Sequence, residues 1–298
     1  MRTSRLPLPH VTADPFAALL DLPGVTAAVD ESRTAVDGLL GHRVLRRRSA
    51  EVTAESALRG ARASAELEGA GIELERLRGQ LMHGQPVTVP SKDARQGQLV
   101  TNAVRLHADL GALLPSWKNA PRQALARLHV LAAADLGVPD EHLGRPRTSA
   151  TDPVEDPLGL GRAPDPLEVS ARLDGLCRLL LEPTKAPAVV VAAVVHGELL
   201  ALRPFGSVDG LVARAAARLV LVDRGLDPKA VSAPEVGHAE LDAQGLRVAH
   251  SHAYADAARG YLAGGAEGVA RWVVHCAQAV ALGAREGLAV CEAILRET

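Results

Sequence analysis

In several stretches apolar residues recur every three to four positions with polar residues between them, and from Thr26 onward the chain is rich in Ala, Leu, Glu and Arg, which favours helix. That period is the mark of helices with one buried face. Residues 51–81 read as two helical pieces broken at Glu68-Gly69-Ala70-Gly71. Residues 97–114 carry Leu99, Val100, Ala103, Val104, His107 and Leu110 on one stripe, and 121–136 repeat the pattern. Further helices are expected over 167–181, 188–202, 210–224 and 245–260, with a long last one over 266–295. Gly225 is placed to end the helix before it, and Pro228 blocks its continuation. No stretch alternates at period two. Two regions break the pattern. Residues 1 to about 30 hold four prolines and read as a loosely attached arm, with a short helix near Pro15–Leu20. Residues 139–166 hold six prolines, which leaves room for a loop or a short β-hairpin at most. The expected fold is all-α, divided into an N-terminal part (1–90) and a helical core (91–298).

Composition narrows the functional classes. The chain has 298 residues, 47% of them hydrophobic, and a formal net charge of −2. A near-neutral chain has no global field to draw nucleic acid. The aromatic content is 2%, too sparse for a base-stacking platform. Arg43, Arg46, Arg47 and Arg48 form a local basic cluster that reads as a solvated helix face, with a DNA contact as the sharper alternative. Cys177, Cys276 and Cys291 are scattered and read as reduced thiols of a cytoplasmic protein. No apolar run is long enough to span a bilayer. His107 and His129 sit beside apolar stripes and read as packed histidines. His250 and His252, with Asp256 beyond, imitate a metal set. They point to different helix faces, so no metal site is expected.

The segment His196–Arg214 reads HGELLALRPFGSVDGLVAR. A helix ends at Arg203-Pro204-Phe205, a short loop follows, and a second helix starts near Asp209-Gly210. A helix start exposes backbone N–H groups and is a potential anion site. This segment resembles the Fic/Doc (Fido-domain) family, whose motif is H-P-F-x-[DE]-G-N-G-R-x-x-R. Residues 203–214 align without a gap, and Pro204, Phe205, Gly210 and Arg214 match. His196, the Ala/Leu-rich stretch to Gly225 and Trp272 are in keeping with the family. Upstream, Ser64, Glu68 and Gly69 fit [S/T]-x-x-x-E-[G/N], the inhibitory-helix motif of the N-terminally inhibited class. In that class the glutamate pairs with the last motif arginine, here Arg214.

The resemblance implies a Fic/Doc-like helical bundle and, in its active members, transfer of AMP from ATP and Mg²⁺ to a protein hydroxyl. The motif positions of this chain depart from that chemistry. The general base is Arg203, which stays protonated. The metal-holding acid is Ser207, a poor anchor for a hard cation. The first glycine is Val208. The asparagine is Asp209, a carboxylate expected to cap the next helix and occupy the anion site. The first arginine is Leu211, which removes a cation. Gly210 and Arg214 remain as nucleotide- or anion-binding candidates. The expected reading is a pseudoenzyme acting through a protein partner or weak nucleotide binding. The alternatives are a rewired nucleotidyl or phosphoryl transferase, with His196 or His142 as base, and a DNA-associated regulator.

Overall fold

The structure is a computed structural model that describes residues 14–91, 93–249 and 252–296. Its helices are α1 (Val25–Leu40), α2 (Ser49–Glu66), α3 (Leu74–Met82), α4 (Ala94–Asn119), α5 (Pro121–Ala133), α6 (Pro166–Leu181), α7 (Ala188–Leu202), α8 (Asp209–Asp223), α9 (Pro234–Ala249), α10 (Ala253–Ala263) and α11 (Gly265–Arg296). Short 3₁₀ turns cover Ala17–Asp21 and Arg43–Arg46. No strand occurs among the described residues, so the all-α expectation holds and the hairpin option does not.

At the centre lies α7. Its sequence AVVVAAVVHGELLAL is apolar nearly all round, as a helix buried on every side must be. It runs into α8 through the loop 203–208, and the two helices pack against each other. Along them runs α11, whose 32 residues span about 48 Å at ~1.5 Å per residue. Its neighbours are α1, α2, α7, α9 and α10. Small residues let these helices approach closely. A Cβ on Gly237 would lie 2.0 Å from the Ala279 carbonyl oxygen, so α9 fits against α11 only with glycine there.

Three expectations need correction. The arm is not loose from Phe16 on: Phe16 and Val25 are buried and α1 packs along α11. The part of the arm before Asp14 lies outside the described residues. The single helix over 245–260 is two helices, α9 and α10. The Asp242 carboxylate on α9 accepts the backbone N–H of Tyr254 at 3.1 Å, so a side chain from the preceding helix anchors the start of α10. Residues 234–244, unassigned in the sequence, are helical. The basic cluster lies about the second 3₁₀ turn. Arg43, Arg46 and Arg47 are exposed, and Arg48 pairs with Glu51. No helix among the described residues is long and apolar enough to cross a membrane.

The proline-rich stretch between α5 and α6 has no regular structure, but it is pinned. Arg147 N–H donates to the Pro204 carbonyl at 2.8 Å, and Glu155 N–H donates to Gly206 at 2.8 Å. It therefore lies across the loop that joins α7 to α8.

Candidate functional site

The α7–α8 loop is built from unusual backbone. Arg203 ends α7 at φ 42°, Gly206 has φ 77° and Val208, the N-cap of α8, has φ 48°. Only glycine adopts such angles without cost, so Arg203 and Val208 are strained. Packing holds both: Arg203 is 3% exposed and Val208 2%. Arg147 clamps the loop from above, its Nε donating to the Arg203 carbonyl at 3.1 Å.

Asp209 behaves differently from expectation. It does not cap α8. Its Oδ1 turns back and accepts the N–H of Phe205 at 3.0 Å, while Oδ2 has no partner. Burial raises its carboxyl to a pKa of about 8. The anionic group at the start of α8 is Glu68. A Cβ on Gly210 would lie 1.9 Å from Glu68 Oε1, so the carboxylate rests against the first turn of the helix. Glycine at 210 is what makes room for it.

Glu68 reaches this place from the end of α2. Gly69, at φ 83°, stops that helix: its own N–H bonds to Glu66 O and the Ala70 N–H reaches back to Ala65 O. That is a Schellman ending, which requires a left-handed residue at this point. Arg214 on α8 then gathers the motif. Its Nη2 donates to Glu68 Oε1 at 2.7 Å and to Ser64 O at 2.9 Å; Nε donates to Ser64 Oγ at 2.8 Å; Nη1 donates to Tyr254 Oη at 3.2 Å. The pair is buried, with side-chain exposures of 1% for Arg214 and 6% for Glu68.

A cavity of about 20 Å³ lies beside the start of α8. Glu68, Glu155, Asp156 and Asp209 line it, together with Arg203. That volume suits one water molecule. Arg203 Nη1 lies 3.3 Å from Asp156 Oδ1, whereas its Nε and Nη2 have no partner. Leu211 is packed into the core at 1% exposure.

Ser207 sits beside a histidine. His129 Nε2 is 3.2 Å from Ser207 Oγ, and the imidazole stacks on Phe205 with centroids 4.3 Å apart. The pair resembles a nucleophile and its base, but the tautomer is wrong. His129 Nδ1 accepts the Gly144 N–H at 2.9 Å, so the ring proton sits on Nε2 and is donated to Ser207. Burial lowers the His129 pKa to about 4, so the ring is neutral. His196 is buried, with Nε2 2.7 Å from Tyr254 Oη. His142 is exposed in a turn, and among the described residues no hydrogen bond joins its side chain to the loop. His252 precedes α10 and bonds to Asp242, whereas Asp256 pairs with Arg259. His250 lies outside the described residues.

No protein-family model and no curated protein matches this sequence. Solved structures do. A Fic family protein from Desulfovibrio desulfuricans G20 superposes with a TM-score of 0.67 at 19% identity, over 90% of this chain and 75% of that one. Fic-1 (residues 134–508) from C. elegans gives 0.60 at 18% identity, over 91% and 75%. A Fic domain containing signaling protein from Bacteroides thetaiotaomicron VPI-5482 gives 0.60 at 14% identity, over 89% and 98%. The chain has the Fic fold.

Proposed function

We propose that this Fic-fold chain does not transfer AMP and acts by binding a protein partner. The observation that carries the reading is the acidic, one-water-sized space at the start of α8. A phosphate seat needs free N–H groups, positive charge and room. Here Glu68 lies against Gly210, three more carboxyl groups line the space, and Arg214 is committed to Glu68. ATP with Mg²⁺, which the fold implies, does not fit these residues. Arg203 cannot accept a proton, Ser207 offers no charge to a metal, and Leu211 offers none to a phosphate. Neither nearby imidazole supplies a base: His129 holds its proton toward Ser207, and His196 is committed to Tyr254. The protein partner follows from the resemblance, whose active members act on protein hydroxyls.

The test is incubation with labelled ATP and Mg²⁺, together with thermal shift against ATP, GTP and CDP-containing nucleotides with and without Mg²⁺. No label should transfer to the chain or to lysate proteins, and no nucleotide should raise the midpoint. Labelling that disappears in Arg203→Ala or Asp209→Ala would overturn the reading.

A further inference from the structure

Beside Arg214, which lines the same cavity, lies a second cluster that the candidate site does not use. His196 on α7, His238 on α9 and Cys276 on α11 are all buried, and one donor atom from each lies within 4.8 Å of the others. They share the lining of a cavity of about 20 Å³, large enough for one small occupant. The spacing along the chain is about forty residues at each step, so no local motif marks it.

Each of the two imidazoles has one ring nitrogen held by a second residue. His196 Nε2 is engaged with Tyr254 Oη at 2.7 Å, and His238 Nδ1 with His275 Nε2 at 3.0 Å. The opposite nitrogens, His196 Nδ1 and His238 Nε2, have no hydrogen-bond partner among the described residues. Metal-bound imidazoles have this arrangement, with one nitrogen on the ion and the other held by a second residue.

We propose that His196, His238 and Cys276 form a three-coordinate site for a monovalent soft cation, Cu(I). Two nitrogens and one thiolate suit a soft ion. Charge decides between copper and zinc. Arg214 and Arg218 line the same cavity, and each is matched by one carboxylate, Glu68 and Glu235. Zn²⁺ with one thiolate would add a net positive charge beside two arginines in the core, which is expensive. Cu⁺ with one thiolate adds none. As the Cu–S bond forms, the Cys276 thiol releases its proton to solvent and no electron changes hands. Metal–ligand bonds of about 2.0–2.3 Å require the donors to close by roughly 1 Å, within reach of side-chain rotation.

The experiment is anaerobic titration of the whole chain with Cu(I) in competition with a Cu(I)-specific chelator, followed by X-ray absorption on the loaded protein. One ion per chain should be retained, with one sulfur and two nitrogens around it. Cys276→Ser should lose it, whereas Cys177→Ser and Cys291→Ser should keep it. Tyr254→Phe, which frees His196 Nε2, should weaken binding by about 10–100-fold. Retention unchanged in Cys276→Ser would overturn the site, as would an absorption spectrum of the wild-type protein without sulfur and two nitrogens. Zn²⁺ held more tightly than Cu⁺ would overturn the copper assignment. Should Cys276→Ser not fold, His238→Gln and the wild-type spectrum decide the matter.

Discussion

At Val208 a β-branched side chain occupies a backbone region that glycine prefers, with φ 48° and ψ 23°. Left-handed backbone costs a side-chain-bearing residue about 1–2 kcal/mol. Truncating Val208 to alanine keeps that strain, whereas glycine releases it. Val208→Gly is therefore expected to be more stable than Val208→Ala by about 1 kcal/mol in chemical denaturation. The order in a helix interior is the opposite, with alanine favoured by about 0.5–1 kcal/mol. An alanine variant equal to or better than the glycine variant would show that the strain is not there. Asp209, next in the chain, makes a prediction in pH. Burial holds its carboxyl at a pKa of about 8, against an ordinary value of 3.8. Between these values the unfolded chain gives up the proton and the folded chain keeps it. The folded state then binds more protons, so this group's contribution to stability falls as pH rises from about 4 to 8. Asp209→Asn has no proton to lose. Its midpoint relative to wild type should improve steadily across that range, and a quarter of the displacement already corresponds to about 1.4 kcal/mol. A difference constant with pH would count against a buried, protonated Asp209.

Where α2 meets α8, one ion pair joins two motifs 146 residues apart. Both side chains are buried, so removing one partner leaves the other charge stranded, at a cost of about 3–5 kcal/mol. Glu68→Ala should lower the unfolding free energy by an amount in that range, read as a lowered unfolding midpoint. A double-mutant cycle with Arg214→Ala should show coupling of about 0.5–3 kcal/mol, and additive single effects would refute it. The variant should also acquire no AMP transfer, because Arg203, Ser207 and Leu211 remain in place. This pair was legible in the sequence, since Ser64, Glu68, Gly69 and Arg214 stand at fixed spacings within short motifs. The α7–loop–α8 turn was legible too, because Pro204 and Gly206 break the chain between a long apolar run and an Ala/Leu-rich helical one. Elements fixed from a distance were not. α9 rests on α11 through the bare Cα of Gly237, and α10 starts where Asp242 receives it. Neither cause leaves a local pattern. The same holds for Tyr254, Glu155 and Asp156, which reach the site from other parts of the fold. The orientation of Asp209 is not legible, because helix-start statistics favour a cap, whereas here the Phe205 amide takes the carboxyl.

Across the molecule, buried residues from Phe16 to Cys291 belong to one contiguous cluster. Several contacts bind residues before 90 to residues after it. Ser56 Oγ donates to Ser232 O at 2.6 Å, Arg218 Nη2 donates to Ser56 Oγ at 2.6 Å, and Arg214 holds Ser64. Leu39 packs on Gly287, where a Cβ would come within 2.8 Å of it. The division near residue 90 therefore separates stretches of sequence that share a core. From α1 alone, Val25, Val29, Val36 and Leu39 bury their side chains. At about 1.5–3 kcal/mol each, these four contribute roughly 6–12 kcal/mol. That is comparable to the whole net stability of a folded domain, about 5–15 kcal/mol. A fragment beginning at residue 91 should therefore fail to fold, and the intact chain should unfold in one transition. Far-UV circular dichroism and tryptophan fluorescence, which reports Trp117 on α4 and Trp272 on α11, should give coincident curves. Separate midpoints for the two probes, or a helical fragment 91–298 with its own cooperative melt, would show that the core is divided after all.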